Sequence, residues 1–421
     1  MDAHLLILVF AGIITVSFAA NLIAKRTNIP AVLMLMLLGF GIERFAQMGP
    51  EALLPYLEIL GTIGVILIVL EASLDLHLER DKIGLIVKST LVAAISLIAT
   101  TGLIAIVIKS VLGLGWILSL IYATPLSVMS SAIVIPSVGS LKKESKEFLI
   151  FESSMSDILG IIMFYALLDF NRAGANPAVI GAVGGKIILT LLLSIIISYL
   201  LILAFQSLKG GSVRLFLLIA ILMGLYSAGK LLHLSPLILI LVFGLALNNK
   251  EVFFPGRLTK LVNDAQFDNI LKDLRFITLE SAFVVRTLFF VAFGMSIVLA
   301  SLLHWSVLVI SVLVLLITYV IRYLSLLTTA REHIQPAVFV APRGLITVLL
   351  FYAIPSEMTT DKFEPGIILL TVLVTSLVMT FGLVRQQRLD QRRKAARKAA
   401  AAQRKAEKNG VDGSPPPVAA E

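Results

Sequence analysis

Apolar residues in this chain do not recur at the spacing of a single helix face. They run almost unbroken for long stretches, stop at a few polar residues, and begin again. A bilayer core is crossed by about 20 mostly apolar residues, so each run predicts one membrane span. Thirteen spans follow, at roughly 4–23, 30–45, 57–75, 84–108, 116–138, 147–168, 178–206, 212–230, 235–248, 278–300, 305–328, 334–356 and 365–384. Two of them break the pattern. YATPLSVMSSAIVIP (122–136) sets Pro125 and Pro136 around a small, hydroxyl-rich centre, and AVFVAPRGLITVLLFYAIP (337–355) repeats the plan with Pro342, Arg343, Gly344 and Pro355. Proline removes a backbone donor and obstructs the carbonyl one turn back, so both helices should unwind near mid-membrane. Backbone freed at that depth needs partners from protein, water or a ligand. The two segments are seven spans apart, so they cross the membrane in opposite directions. A pair of interrupted helices in inverted positions points to a transport site at the midplane.

Composition agrees with the pattern. Of 421 residues, 58% are hydrophobic and 14% charged, and the mean hydropathy is +0.99, which excludes a water-soluble globule. Met1 to Leu5 has no basic start, so the first run is expected to be a span and not a cleaved signal. Basic residues then set the orientation. Alternate connections hold Lys25 and Arg26; Arg80 and Lys82; Lys142, Lys143 and Lys146; Lys209 and Arg214; Lys250, Arg257, Lys260, Lys272 and Arg275; and Arg331. The intervening ones hold only Lys109, Arg172, Lys230 and Lys362. The N-terminus is therefore expected outside and the C-terminus in the cytoplasm, in a multi-pass protein of the cell's inner membrane.

The expected organisation is a transmembrane domain over 1–385 and a basic tail over 386–421, helical near anionic lipid and then disordered. Ten of the 35 Lys and Arg lie after Val384. With most others serving orientation, the net charge of +9 needs no nucleic-acid partner. There is no cysteine, hence no disulfide or thiolate metal site, and no cofactor is expected. TKLVNDAQFDNILKDLR (259–275) has apolar positions at helical spacing and reads as an amphipathic surface helix. The five histidines show no ligand spacing, Lys88 and Lys186 can snorkel to headgroups, and Glu71 reads as an interfacial packing residue.

The candidate chemistry lies just after the first interrupted span, in FESSMSDILG (151–160). Carboxylates inside a membrane are costly and mark function by default. Five residues at about 100° each leave Glu152 and Asp157 about 140° apart around the helix, so they serve different neighbours. Asp157 shares its face with Ser153 and Ser154, and Ser156 adjoins it. With Thr124, Ser130 and Ser131 of the broken helix, these hydroxyls are candidate ligands for a hard monovalent cation, or neighbours of a proton. Glu152 needs a cationic partner, for which Arg286, Arg322 and Arg343 are available. Arginine stays charged under ordinary conditions, so these residues pair charges or shape the field.

Glu152-Ser153-Ser154-Met155-Ser156-Asp157 resembles the Glu-Ser-x-x-Asn-Asp signature of the monovalent cation:proton antiporter superfamily, which includes the sodium/hydrogen exchangers. GTIGVILIVLEASLDLHLERDK (61–82), LSVMSSAIVIP, RTLFFVAFGMSI (286–297), VIRYLSLL and APRGLITVLL resemble further family segments in the same order, covering residues 1 to about 385. The resemblance implies an all-α polytopic fold of about thirteen helices, an inverted repeat with two crossing broken helices. It implies Asp157 as the carboxylate that binds both the transported Na⁺ or K⁺ and H⁺, Glu152 paired with Arg322, Arg286 and Arg343 shaping the field, and a homodimer. Ser156 departs from the family, standing where the exchanger branch has Asn and the electrogenic branch Asp. The fifth and tenth spans lean toward the potassium-efflux branch. A lone free carboxylate that takes either a metal ion or a proton predicts one-for-one, electroneutral exchange. An enzyme is not expected: neither Gly-x-Gly-Asp nor His-Glu-x-x-His is present. Sodium-coupled symport of a small organic solute is the principal alternative, and a channel is another.

Overall fold

The computed structural model describes residues 3–27, 31–46, 54–76, 82–173, 177–207, 213–231, 236–254, 264–296, 302 and 304–410. These residues are helical almost throughout. In chain order the helices are α1 (Ala3–Thr27), α2 (Ala31–Ala46), α3 (Leu54–Asp75), α4 (Ile83–Leu112), α5 (Trp116–Ser127), α6 (Ser131–Ser137), α7 (Lys143–Ala173), α8 (Pro177–Ser207), α9 (Val213–Leu231), α10 (Pro236–Asn248), α11 (Lys250–Phe253), α12 (Asp264–Met295), α13 (Trp305–Thr329), α14 (Ile334–Ala337), α15 (Leu345–Tyr352) and α16 (Gly366–Gly410). Each predicted span coincides with one of them or, at the two breaks, with the pairs α5/α6 and α14/α15. Among the described residues six helical segments, of 25 to 30 residues, are long and apolar enough to cross a bilayer, and shorter apolar helices accompany them. They present bulky apolar side chains outward, such as Leu316 at 62% exposure and Leu200 at 62%, as a surface in contact with lipid does.

Two bundles are distinguishable by packing. In one, α4 packs on α5, α7 and α13, and α13 on α16; in the other, α12 packs on α2 and α3, and α10 on α3 and α8. The first contains the repeat: α4, α5/α6 and α7 answer to α13, α14/α15 and α16, each unit with its middle helix interrupted. The bundles meet where α15 and α7 approach α3, and where α7 approaches α8 and α10.

One expectation needs correction. The amphipathic segment is no separate surface helix, because residues 264–275 form the first turns of the continuous 32-residue α12. Nothing between Asp264 and Phe293 is Gly or Pro, so no residue stops the helix before the span begins; 255–263 lie outside the described residues. The basic tail is helical through 410, continuous with the last span in the 45-residue α16, since Ala, Arg, Lys and Gln all favour helix. The predicted disordered end, from 411 on, lies outside the described residues.

Candidate ion-binding site

The first break follows from its residues. Pro125 sits in the last turn of α5, and beyond Ser127 the backbone turns extended, with Val128 at φ −73°, ψ 132° and Ser130 at φ −79°, ψ 113°. Helix resumes at Ser131. In the second break α14 ends at Ala337 and α15 begins after Gly344. The breaks lie against one another. The Ser130 N–H donates to the Pro342 carbonyl at 2.9 Å. Gly344 permits the approach, because a Cβ there would lie 2.5 Å from Ile133 Cδ1 and 2.8 Å from Ser130 Oγ. Gly160 does the same for α7, where a Cβ would lie 2.3 Å from Val128 Cγ2.

Interrupting a helix leaves carbonyls at one stump and N–H groups at the other, with partial negative and positive charge respectively. Each described carbonyl stump has its own arginine. Arg343 Nε donates to the Leu126 carbonyl at 2.7 Å, and Arg322 Nε donates to the Ala337 carbonyl at 2.6 Å. Arg343 also donates through Nη2 to Thr318 Oγ1 at 3.3 Å, and its backbone N–H to Thr375 Oγ1 at 3.0 Å. On the other side, the N-terminal stump of α6 faces Asp157. The Ser131 N–H donates to Asp157 Oδ2 at 3.1 Å, and the Ser131 hydroxyl donates to the same oxygen at 2.5 Å.

The two carboxylates of α7 thus have different surroundings. Glu152, 1% exposed, is held by both ends of one guanidinium, Arg322 Nη1 to Oε1 at 2.6 Å and Nη2 to Oε2 at 3.1 Å. Of the three candidate arginines, Arg322 is the one that meets it. Asp157, 3% exposed, is engaged at Oδ2 alone, and its Oδ1 is buried with no hydrogen-bond partner among the described residues. It lines a narrow cleft at the seam between the bundles, with room for little more than one water-sized group, whose other walls are aliphatic, including Ile68 and Ala72 of α3, Leu237 and Leu241 of α10, and Ile346 of α15. A separate small cavity holds the opposite chemistry, with Ser96, Thr100, Glu152, Thr318, Arg322 and Arg343 among its lining residues.

Three of the remaining candidate hydroxyls have other partners. Thr124 and Ser153 donate to carbonyls of their own helices, Leu120 at 2.8 Å and Ile150 at 3.1 Å. Ser156 Oγ accepts the Met129 N–H at 2.9 Å, which ties α7 to the backbone of the first break. Ser130 Oγ and Ser154 Oγ are buried without partners among the described residues. Intrahelical back-bonding is the usual fate of Ser and Thr in apolar helices, and periodicity alone does not expose it.

Arg286 lies elsewhere, on α12, where Nη2 meets Glu71 Oε2 of α3 at 2.6 Å, both side chains half-buried. Glu71 is therefore half of a partly buried ion pair between α3 and α12, which adds a charged partner to its reading as an interfacial packing residue. The available signal was that both charges lie within apolar runs. Lys88, read as snorkelling, meets Glu332 at 2.5 Å.

Crossed interrupted helices, a capped charge at each carbonyl stump and a half-satisfied carboxylate at the seam of two bundles define the sodium/proton antiporter fold. The chain belongs to the sodium/hydrogen exchanger family, whose transmembrane family model matches residues 13–385. It is similar to the Na(+)/H(+) antiporter NhaS2 of Synechocystis sp., 22% identical over 248 residues, which cover 56% of this chain and 44% of that protein. The chain thus matches less than half the length of this curated relative. Its fold resembles that of the sodium proton antiporter MjNhaP1 of Methanocaldococcus jannaschii, with a TM-score of 0.68 at 20% identity, covering 92% of this chain and 97% of the other. An electron-microscopy structure of the same antiporter gives a TM-score of 0.66 at 19% identity, over 93% and 97%. None of these relationships supports the solute-symporter alternative.

Proposed function

We propose that this chain is a secondary active antiporter that exchanges Na⁺ or K⁺ for H⁺ by alternating access, with Asp157 as the shared binding group. The observation that carries the reading is the asymmetry of that carboxylate: Oδ2 is bonded to Ser131, and Oδ1 is buried and free. An unpartnered anionic oxygen in a low-dielectric seam is costly, and either a proton or a hard monovalent cation relieves it. Both cannot occupy it together, so one displaces the other. If the repeat-containing bundle carries Asp157 between the two faces of the membrane only when it is neutralised, exchange follows without a separate coupling device.

Stoichiometry follows from the charges nearby. Glu152 is committed to Arg322, so a single carboxylate is available and exchange is one-for-one and electroneutral. Ser131 supplies the hydroxyl nearest the site, and the unpartnered Ser130 and Ser154 hydroxyls are reserve ligands for the loaded state. Sodium is the favoured ion, since the family and both named relatives are described by it; potassium enters through the sequence of the fifth and tenth spans. The transport unit spans 1–385 in the inner membrane, with the N-terminus outside, the basic C-terminal segment in the cytoplasm, and two copies forming a homodimer.

The test is dequenching of a pH-sensitive dye in inverted vesicles on addition of Na⁺, K⁺, Li⁺ or Rb⁺, with currents recorded in parallel on a supported bilayer. Cation-dependent dequenching without a steady current is expected. A dye response absent for all four ions would overturn the antiport reading, and a sustained current would overturn the one-for-one ratio.

A further inference from the structure

Where α16 leaves its apolar stretch, one face bears Leu377 and Phe381, exposed at 56% and 64%, followed by exposed Arg385, Arg388 and Arg392. These line an open groove of about 580 Å³. At about 100° per residue the three guanidinium-bearing positions fall within an arc of about 60°. The nearby acid, Asp390, is turned away, its carboxylate accepting from Gln386 at 3.3 Å.

Helix direction decides what the arginines reach. Side chains lean toward the N-terminus of their helix, and the N-terminal part of α16 is the apolar span. The arginines therefore reach back toward the headgroup layer and not out into water. Arg385 lies over the Phe339 ring at 5.9 Å, and Phe381 is edge-on to the same ring at 6.4 Å, so the groove begins beside the second helix break. Apolar surface below and concentrated positive charge above match a molecule with an acyl chain and an anionic phosphate. We propose that this stripe is a binding site for an anionic phospholipid of the leaflet from which α16 emerges, its chain along Leu377 and Phe381 and its phosphate held by Arg385, Arg388 and Arg392.

The site is testable apart from transport. The full chain in detergent is titrated with phosphatidylglycerol or phosphatidylcholine, and retained lipid is read by native mass spectrometry. The variants are R385Q/R388Q/R392Q and, as a charge-matched control, K394Q/R397Q/K398Q. Wild type and control should retain phosphatidylglycerol in preference to phosphatidylcholine. The arginine variant should bind phosphatidylglycerol about a hundredfold more weakly, from roughly fivefold per basic residue near an anionic surface. R388Q alone should give about fivefold and serves should the triple variant not fold. Equal retention of the two lipids by wild type, undiminished binding in the arginine variants, or an equal loss in the control would each overturn the proposal. Dye dequenching in zwitterionic vesicles should be the same for wild type and R385Q/R388Q/R392Q; a loss there would place these arginines in the transport machinery and likewise overturn the assignment to lipid.

Discussion

Glu152 and Asp157 stand five residues apart on one helix, equally buried, and differ in nearly everything else. Around Glu152 every charge is answered, by a guanidinium whose remaining Nε caps a helix stump. Around Asp157 half the demand is answered and the rest opens onto aliphatic walls. The contrast teaches that burial alone does not mark a transport site. A satisfied buried acid holds helices together, and an unsatisfied one has reason to take up a passing cation.

Substitutions sharpen that contrast. The largest effect is expected at the locked pair: E152Q or R322Q leaves an uncompensated buried charge and should cost about 3–5 kcal/mol, read as loss of extractable, monodisperse protein. The double change E152L/R322M should recover much of it. Should E152Q fold as well as wild type, the two acids are not distinguished by satisfaction. Asp157→Asn should do the reverse, abolishing cation-dependent dequenching while the melting temperature stays near wild type. Retained exchange would remove the assignment.

Smaller effects probe the crossover itself. Gly344→Ala sets a methyl against Ile133 and Ser130 and should cost about 1–3 kcal/mol by overpacking, with turnover reduced more than cation KM. Ser131→Ala removes one of the two donors to Oδ2, a change of about 1.5–3 kcal/mol for a bond to a charged group, and should appear as a change of about tenfold or more in cation KM. The smallest effect is at the end of α13. His333 stacks on Phe148 with ring centroids 4.4 Å apart, and burial, opposed in part by Glu332, lowers its proton affinity from the ordinary value of 6.5. A histidine held neutral when folded binds fewer protons than when unfolded, so its contribution is present above about pH 6.5 and declines as pH falls below it. His333→Phe should flatten that part of the melting-temperature profile.

Much of this was legible in the sequence. Run lengths set the span positions, because hydrophobic thickness is a physical ruler, and two proline-bracketed segments with small or hydroxyl-bearing centres located the crossing. The angular separation of Glu152 and Asp157 announced distinct neighbours. What stayed hidden depends on distances between helices. No periodicity shows that Arg343, from the second break, caps Leu126 of the first, or that Glu71 meets Arg286 across 215 positions of chain. The hydroxyls around Asp157 were over-read for the same reason, since a serine's choice between an ion and its own helix carbonyl is local geometry. The tail illustrates a different limit, because its composition permitted a surface helix as readily as the straight continuation of α16.

The single bond from the Ser130 amide to the Pro342 carbonyl has a mechanical consequence. Each interrupted helix completes part of the other's backbone, with Arg343 as a second tie, so neither half can slip past its partner without stranding polar groups in hydrocarbon. The pair is bound to travel as one cassette. The boundary beside Asp157 is greased by isoleucine and leucine, whose contacts are non-directional and re-form after a small displacement. If the bundles shear during turnover, it is that oily boundary that yields and the knotted crossing that rides along intact.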